Sequence, residues 1–280
     1  MNALIRGLAR RIFPRKVRNW LRTPGKAIAW RLNEVRRPVT LTLRPGWTVK
    51  CPRNAAHAGY NAVLSDPPQV VECDDFIQLL RAQARVLLLD IGCHFGVFSL
   101  AAIHYGGASG RVVAIDPSSD AEHMFTRLMA LNGCENQVKF HRAAVGAEPG
   151  ELDMVEAGII ADGYLVLPKD HPPSDITRVQ VTTIDKLVAD TGERPTVIKI
   201  DVESYELQVL QGGRHTLSTG PIPLCLELHN RMMRERGVEP GLVLSELDRH
   251  GYSEFVSAGR RLTKSDLLRA DLIRCVATGP

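Results

Sequence analysis

The stretch that decides the fold is VLLLDIGCHFG, residues 86–96. Its first six residues form a short and almost continuous apolar run, as expected of a β-strand that is buried on both faces. Gly92 and Gly96 then mark a tight turn, and a segment of helical length follows immediately. A buried strand, a glycine-rich turn and a helix in this order predict one βα unit of a parallel sheet.

The same alternation continues along the chain. It predicts strands at 86–91, 111–115, 138–145, 196–200, 223–228, 252–256 and 272–277, and helices at 97–105, 121–131, 184–189, 205–211 and 242–250. The last two strands are expected to form a closing hairpin. Repeated βα units predict an α/β fold with a doubly wound, mostly parallel, seven-stranded sheet of the Rossmann type.

Composition divides the chain into three parts. Residues 1–37 are predicted to be a basic, amphipathic, helical arm, because apolar residues recur at helical spacing between arginines. Residues 38–84 predict a hairpin at 39–49 and a helix near 75–83, packed on the core. Residues 85–280 form the main domain, with a loop insertion rich in Pro, Asp and Gly near 158–177.

Charge is distributed unevenly. The first fifty residues hold 13 Lys and Arg and one acidic residue, a net charge of +12, so the remaining chain carries −8 of the total of +4. Such an arm favours packing on the domain, peripheral contact with a membrane surface, or a transit peptide. Nucleic acid is a poor partner for the acidic body.

Length and composition exclude several classes of protein. A chain of 280 residues with 44% hydrophobic and 24% charged residues is neither disordered nor polytopic, since no apolar run approaches ~20 residues. The six cysteines form no C-x-x-C pair, which argues against a disulfide framework or a zinc site. We expect a cytoplasmic protein with a peripheral membrane contact as an option.

The glycine-rich turn is also a candidate ligand site. Asp90, Gly92 and Gly96 form D-x-G-x-x-x-G, in which backbone N–H groups at a helix N-terminus face an anionic group. The acidic residue replaces the first glycine of the dinucleotide fingerprint, and it suits a ligand with an ammonium group, such as S-adenosylmethionine (SAM). His94 is either a further ligand contact or a tolerated loop residue.

Two further strand ends carry acidic residues. Asp116 follows the next buried strand, twenty residues after Gly96, where a carboxylate binds ribose hydroxyls; its alternative role is to cap the following helix. Residues 199–206, KIDVESYE, lie at the end of a third buried strand and carry four charged side chains, Lys199 and three carboxylates. These charges are either functional or paired with one another through Lys199. Ser204 is predicted to cap the helix that follows.

These motifs resemble those of FkbM-type SAM-dependent methyltransferases, a class I, Rossmann-like family. The resemblance covers residues 86–229, about half of the chain. DIGCHFG resembles the family's D-x-G-A-N-x-G, KIDVESYE resembles K-x-D-x-E-G-x-E, and the ELH of residues 227–229 resembles E-x-H. The sequence departs from the pattern at Cys93, His94 and Ser204, of which the last replaces a glycine.

The resemblance implies SAM as cofactor and O-methylation of a hydroxyl on a sugar, glycan or natural product. It places SAM contacts at the glycine turn and strand ends, at Asp90, Gly92, His94, Gly96, Asp116 and Asp201. Candidates for the catalytic base at the cleft edge are Asp201, Glu203 and His229. A divalent metal such as Mg²⁺ is an optional second cofactor, held by Asp201, Glu203 and Glu227.

Two other functions remain open at this stage. A non-catalytic Rossmann-like scaffold or binding protein would share the fold, since fold does not imply function. A nicotinamide-dependent oxidoreductase is disfavoured by the missing G-x-G-x-x-G.

Overall fold

The computed structural model describes residues 37–155 and 176–279. The predicted arm at 1–37 and the insertion at 158–177 therefore lie almost entirely outside the described residues. Only Arg37 belongs to the described part of the arm, and only Ile176 and Thr177 to that of the insertion, where they begin a strand.

The strands form three sheets. Their bounds are β1 Val39–Arg44, β2 Trp47–Cys51, β3 Leu87–Ile91, β4 Arg111–Ile115, β5 Val138–His141, β6 Ala144–Val145, β7 Gly150–Val155, β8 Ile176–Thr182, β9 Val197–Ile200, β10 Leu224–Leu228, β11 Glu254–Ser257, β12 Arg260–Arg261 and β13 Ile273–Thr278. The main sheet has the order β12-β11-β13-β10-β9-β3-β4-β5, and β1-β2 and β6-β8-β7 stand apart.

The main sheet confirms the predicted Rossmann-like architecture. Strands β5, β4, β3, β9 and β10 are parallel, and β13 is antiparallel to β10 and to β11. The two-residue strand β12 extends the edge, so the expected seven strands become eight. β3 lies between β4 and β9, so the strands that follow it in the chain are added first on one side of β3 and then on the other. A Rossmann-like sheet opens its ligand crevice at such a switch point.

Helices cover both faces of the sheet. Their bounds are α1 Arg53–Ala55, α2 Ala62–Ser65, α3 Pro67–Arg81, α4 Val97–Gly106, α5 Ser119–Leu131, α6 Ile184–Thr191, α7 Glu206–Gln211, α8 Arg214–Ser218, α9 Asn230–Glu235, α10 Gly241–Arg249 and α11 Lys264–Arg269, with a π-helix at Ala56–Tyr60. None of the helices in the described ranges has the length and apolar character of a membrane span.

One apolar core lies on each face. The first joins the N-terminal elements to the sheet, with Trp47, Tyr60 and Phe76 packed in one cluster with Leu88 and Phe125. The second lies between the other face and the helices of the second half of the chain. Residues 38–84 thus bury their apolar side chains against the sheet, while the domain boundary near residue 85 stays a prediction.

The predicted strand 138–145 is wrong in one respect, because the structure divides it. Strand β5 ends at His141, and β6 pairs with β8 in the separate three-stranded sheet. After β6 the chain passes close to the end of α7. A Cβ on Gly212 would lie 2.0 Å from the carbonyl oxygen of Gly146. Gly212 is therefore required by this close contact, although its φ of −75° is one that any residue can adopt.

Three other expectations need correction. Helix α3 begins at Pro67, eight residues before the predicted start, because proline is well suited to the first helical turn. The predicted closing hairpin is a pair of antiparallel strands, β11 and β13, separated by β12 and α11. Ser204 does not cap α7; the N-cap is Tyr205, without a capping side chain.

Candidate active site

A cleft of about 410 Å³ opens at the carboxyl ends of β3, β9 and β10. The topology brings the ends of these strands to one edge, so residues far apart in the chain become neighbours. The predicted residues that line this cleft are Gly92, His94, Asp201, Glu203, Glu227 and His229.

The glycine-rich turn has the backbone that the sequence predicts. Gly92 has a φ of +78°, and a Cβ there would lie 1.7 Å from the carbonyl oxygen of Asp201. Gly96 has a φ of +76°, and its Cβ would lie 2.8 Å from the ring of Phe125. His94, which is exposed, also has a positive φ of +46°. Both glycines are thus required by conformation and by close approach.

Asp116 ties the glycine-rich turn to the end of β4. Its Oδ2 accepts a hydrogen bond from the backbone N–H of His94 at 3.0 Å, and its Oδ1 accepts one from Ser118 at 2.9 Å. Burial raises the pKa of Asp116, although these amide hydrogen bonds lower it. Ser118 is the residue that caps α5, through Ala121, so the capping alternative for Asp116 is wrong.

Asp90 lies beneath the turn and does not line the cleft. It is 1% exposed, and its Oδ2 accepts a hydrogen bond from Ser99 Oγ at 2.6 Å. Burial raises the pKa of Asp90 to about 6, and the hydrogen bond from Ser99 opposes this rise. Its Oδ1 is buried without a hydrogen-bond partner among the described residues. A free acceptor beside a backbone cradle fits a ligand that carries an ammonium group.

His229 lies at the centre of the acidic part of the cleft. Its Nδ1 is 2.7 Å from Oε1 of Glu206, a fully buried carboxylate. Its Nε2 faces Glu203 at 3.5 Å, Glu227 at 3.7 Å and Asp201 at 3.8 Å. Burial disfavours the charged ring, but the hydrogen bond to Glu206 and the nearby carboxylates outweigh it and raise the pKa of His229 to about 9.

Two cations, the buried Lys199 and the half-buried Arg274, balance part of this negative charge. Lys199 Nζ is 2.8 Å from Glu72 Oε1 and 4.8 Å from the centre of the Phe98 ring. Arg274 contacts Glu72 at 3.1 Å and Glu227 at 2.5 Å. Lys199 is therefore paired with a carboxylate, which is one of the two roles predicted for it from the sequence. Its partner, Glu72, comes from α3.

The pKa values of the neighbouring carboxyl groups Asp201 and Glu227 are shifted in opposite directions. Burial and the charge of Asp201 raise the pKa of Glu227 to about 8, against the effect of Lys199. Burial opposes ionisation of Asp201, but Lys199 and His229 outweigh it and lower the pKa of Asp201. Burial and the neighbouring charges thus favour a proton on Glu227 and disfavour one on Asp201.

One group of side chains in the described ranges has the spacing of a metal site. Ligand atoms of Asp201, Glu227 and His229 lie within 4.8 Å of one another. Glu203, predicted from the sequence as the third ligand, is replaced in this group by His229. Lys199 and Arg274 already contact two of these carboxylates, which lowers their availability to a metal ion.

Sequence reasoning missed three contributors. Glu206 is the last residue of the motif KIDVESYE. Its signal in the sequence is its position three residues after Glu203. Glu72 and Arg274 carry no local signal, because α3 and β13 reach the cleft only through the tertiary fold. The segment 230–240, which follows His229, is partly helix α9 and contributes no side chain to the cleft as described.

Comparison with known proteins agrees with this arrangement. The methyltransferase FkbM domain matches residues 90–254, more than half of the chain. A ribosomal protein L11 methyltransferase of Pelobacter propionicus is 30% identical over 127 residues, which are 45% of this chain and 39% of that protein. The chain thus spans about two fifths of the length of this curated relative.

Solved structures of methyltransferases are similar as well. A methyltransferase FkbM from Methylobacillus flagellatus KT is 18% identical, with a TM-score of 0.47, over 80% of this chain and 53% of that chain. A precorrin-6y C5,15-methyltransferase from Geobacter metallireducens GS-15 is 13% identical, with a TM-score of 0.44, over 76% of this chain and 88% of that chain.

Proposed function

The chain belongs to the FkbM family of SAM-dependent methyltransferases, and we propose that it methylates a hydroxyl oxygen of a sugar, glycan or natural product. The observation that carries the proposal is the pair formed by Glu206 and His229 in the cleft. A buried carboxylate holds one ring nitrogen, and the other lies in the cleft among three carboxylates, where it would act as a general base on a hydroxyl bound beside it.

The residues near the glycine-rich turn fit the cofactor. Bound SAM supplies a methyl group activated by a sulfonium. Gly92 and Gly96 would allow the ligand to approach the backbone, and Asp116 would accept hydrogen bonds from ribose hydroxyls. Asp201, which lines the cleft, would face its ammonium group, whereas Asp90 lies beneath the turn and would attract that group only through its charge. His94 is exposed at the cleft wall.

His229 would receive the proton of the acceptor. When the acceptor oxygen takes the methyl group that bound SAM would supply, Nε2 of His229 would accept the hydroxyl proton, and S-adenosylhomocysteine would be released. Glu206 keeps the hydrogen on Nδ1, so that Nε2 is the basic atom. A cation bound in the cleft would lower the pKa of His229, since like charges disfavour protonation.

The charge of the cleft supports a neutral acceptor. The cluster holds the five carboxyl groups of Glu72, Asp201, Glu203, Glu206 and Glu227, whereas its permanent cations are Lys199 and Arg274. Negative charge would repel a polyanion such as nucleic acid. Carboxylates are strong acceptors for the hydroxyl groups of a sugar.

The cofactor site is tested by calorimetric titration with SAM and S-adenosylhomocysteine. We expect saturable binding by the wild type and binding weakened about tenfold or more by Asp116→Ala, which removes the predicted ribose contact. Asp248→Ala is the control, because Asp248 pairs with Lys264 at the surface. Equal affinity in Asp116→Ala would contradict this role of Asp116.

The acceptor is tested with a panel of labelled methyl-transfer reactions. Hydroxyl-bearing sugars, glycans and polyketides are compared with amine-bearing peptides. We expect O-methylated products that His229→Gln reduces about 100-fold or more, as for loss of a general base. His250→Gln, which replaces a buried histidine beside Glu246, is the control. Methylation of amines alone would disprove O-methylation and leave the methyltransferase assignment intact.

A divalent metal would bind at Asp201, Glu227 and His229. It would lower the pKa of the acceptor hydroxyl in place of a protein base. We propose that catalysis relies on His229 instead, because Lys199 and Arg274 neutralise these carboxylates. Calorimetric titration with Mg²⁺ in the presence of S-adenosylhomocysteine tests this point, and stoichiometric binding that Asp201→Asn abolishes would favour the metal.

A further inference from the structure

The turn that follows β9 contains an unusual pair of backbone conformations. Glu203 has a φ of +49° and Ser204 a φ of +82°, so two consecutive residues with side chains lie in the left-handed region. This region favours glycine, and other residues enter it at a cost in free energy that the surrounding structure must offset. Something outside the turn therefore has to hold it.

Arg236 is the side chain that meets this need. Its Nη1 donates to the carbonyl oxygen of Ser204 at 2.8 Å and lies 2.9 Å from the Oγ of Ser204. Its guanidinium carbon lies 4.1 Å from the centre of the Tyr205 ring. The backbone N–H of Ser204, which is 1% exposed, donates to Glu206 at 3.2 Å. One atom, Nη1, makes both contacts with Ser204 while the guanidinium lies over the Tyr205 ring, and this combination of hydrogen bonding and stacking suits an arginine better than a lysine.

The same turn orients the carboxylates around His229. Glu203, the first residue of the pair, places its Oε2 3.5 Å from His229 Nε2. Glu206 Oε1 accepts from the backbone of Ser204 and lies 2.7 Å from His229 Nδ1. If the turn relaxed toward negative φ, Glu203 would move away from the imidazole and Glu206 would lose a donor that fixes it.

We propose that Arg236 is a positioning residue for methyl transfer, which acts by holding the Glu203–Ser204 turn in its left-handed conformation. The residue follows α9, and α9 begins next to His229, so Arg236 links the loops that follow β9 and β10. The proposal has a specific corollary. A glycine at position 204 adopts a positive φ without support, so Ser204→Gly should remove much of the need for Arg236.

The test is a double-mutant cycle of Ser204→Gly and Arg236→Ala. The first readout is the pKa of His229, measured by NMR on protein with labelled histidine and without acceptor. We expect Arg236→Ala to lower this pKa, because Glu203 withdraws, and the double variant to restore it. Since this measurement needs no methyl transfer, it remains decisive even if O-methylation is disproved.

The second readout is methyl transfer. We expect Arg236→Ala to lower kcat about tenfold to a hundredfold, as for a small misplacement of catalytic groups, and the double variant to recover to within about threefold of Ser204→Gly. Arg236→Lys should be intermediate. Arg234→Ala is the control, because Arg234 lies in the last turn of α9, just before Arg236, and contacts Leu268 and Asp271 instead of the turn.

Two results would overturn the proposal. Arg236→Ala could leave both the His229 pKa and kcat at wild-type values. Alternatively, its effects could persist unchanged in the Ser204→Gly background, which would show that Arg236 acts by another route. If Arg236→Ala does not fold, the double variant and Arg236→Lys carry the same comparison, and failure of the double variant to fold better than the single one counts against the proposal.

Discussion

At the scale of single residues, the glycine-rich turn gives the sharpest prediction. We expect Gly92→Ala to abolish calorimetric binding of S-adenosylhomocysteine, because its Cβ would lie 1.7 Å from the backbone oxygen of Asp201. The loops after β3 and β9 would have to separate.

The matched control for this substitution is Gly46→Ala. Gly46 has nearly the same φ, +79°, and nothing within 4 Å of the added Cβ. Gly46→Ala therefore measures the free-energy cost of placing a Cβ at positive φ without any steric clash, which is about 1 kcal/mol or somewhat more. Equal binding by Gly92→Ala and Gly46→Ala would show that close approach to Asp201 is unimportant.

The hydrogen bond between Glu206 and His229 predicts a pH dependence. The wild-type kcat/KM should rise with pH toward about 9, where His229 becomes neutral in the free enzyme. Glu206→Gln removes the partner that raises this pKa, so the rising limb should move to lower pH. Its plateau should fall about tenfold to a hundredfold, because the imidazole loses its fixed tautomer. If the rising limb of the pH profile lies at the same pH in Glu206→Gln as in the wild type, the titrating group is not His229.

At the scale of elements, α3 completes a site whose other parts come from the sheet. Glu72 and Lys199 are 4% and 1% exposed, so their charges depend on each other. We expect Glu72→Leu to lower the free energy of unfolding by about 3–5 kcal/mol in urea titrations, because it leaves a buried cation without its closest partner.

Asp74→Leu provides the comparison on the same helix. Asp74 pairs with Arg44, but its side chain is 49% exposed, so its loss should cost about 1 kcal/mol or less. Similar losses in the two variants would mean that the Lys199 pair contributes no more than a surface pair.

The elements also show where local sequence signals are sufficient. Strands β3 and β4 and helix α4 lie within a residue of their predicted bounds, because apolar runs and helical spacing are local properties. The division of β5 from β6 was not predictable in this way. The break depends on β6 pairing with β8 instead of with the main sheet, which is a contact between segments that are distant in the chain.

At the scale of the whole molecule, stability should decrease as the pH rises. The folded pKa values of His229, about 9, and Glu227, about 8, exceed their ordinary values of 6.5 and 4.5. The native state therefore keeps protons that the unfolded chain releases, and its advantage is lost as the pH passes through the folded pKa values. We expect the free energy of unfolding to fall between pH 6.5 and about 9.

Two variants identify the groups responsible. His229→Gln and Glu227→Gln should each flatten this decline in chemical denaturation at a series of pH values, since each removes one retained proton. A free energy of unfolding that is constant or rises over this range in the wild type would contradict the proposed protonation of the cleft.

The uneven charge of the chain predicts a second property of the whole molecule. Residues 1–37, nearly all outside the described part, carry most of the basic charge of the first fifty residues. We propose that they bind anionic membrane surfaces, which would favour a lipid-linked acceptor. The wild type should sediment with vesicles that contain anionic lipid, and less so with neutral vesicles or in high salt.

A variant that lacks residues 1–37 is the comparison for this binding. It should remain in the supernatant while it still binds S-adenosylhomocysteine. Failure of the wild type to bind anionic vesicles would refute the membrane contact and leave the methyltransferase site unaffected.

The sequence by itself determined the βα order, the glycine-rich turn and the family. These features are local: a buried strand needs an apolar run, and a tight turn at positive φ needs glycine. Gly92 and Gly96 could therefore be assigned before any neighbour was known. Asp201, Glu203 and His229 could also be placed at one edge, since the carboxyl ends of parallel strands meet there.

Only the tertiary structure decided how these groups are charged and held. Glu206 binds His229, Glu72 binds Lys199, and Arg236 supports Ser204, across separations of 23 to 127 residues in the chain. No local pattern encodes such pairs, because they depend on which strands become neighbours and on how deeply each charge is buried. Burial and these partners set the pKa of His229, and so decide whether a strand-end histidine can act as a base.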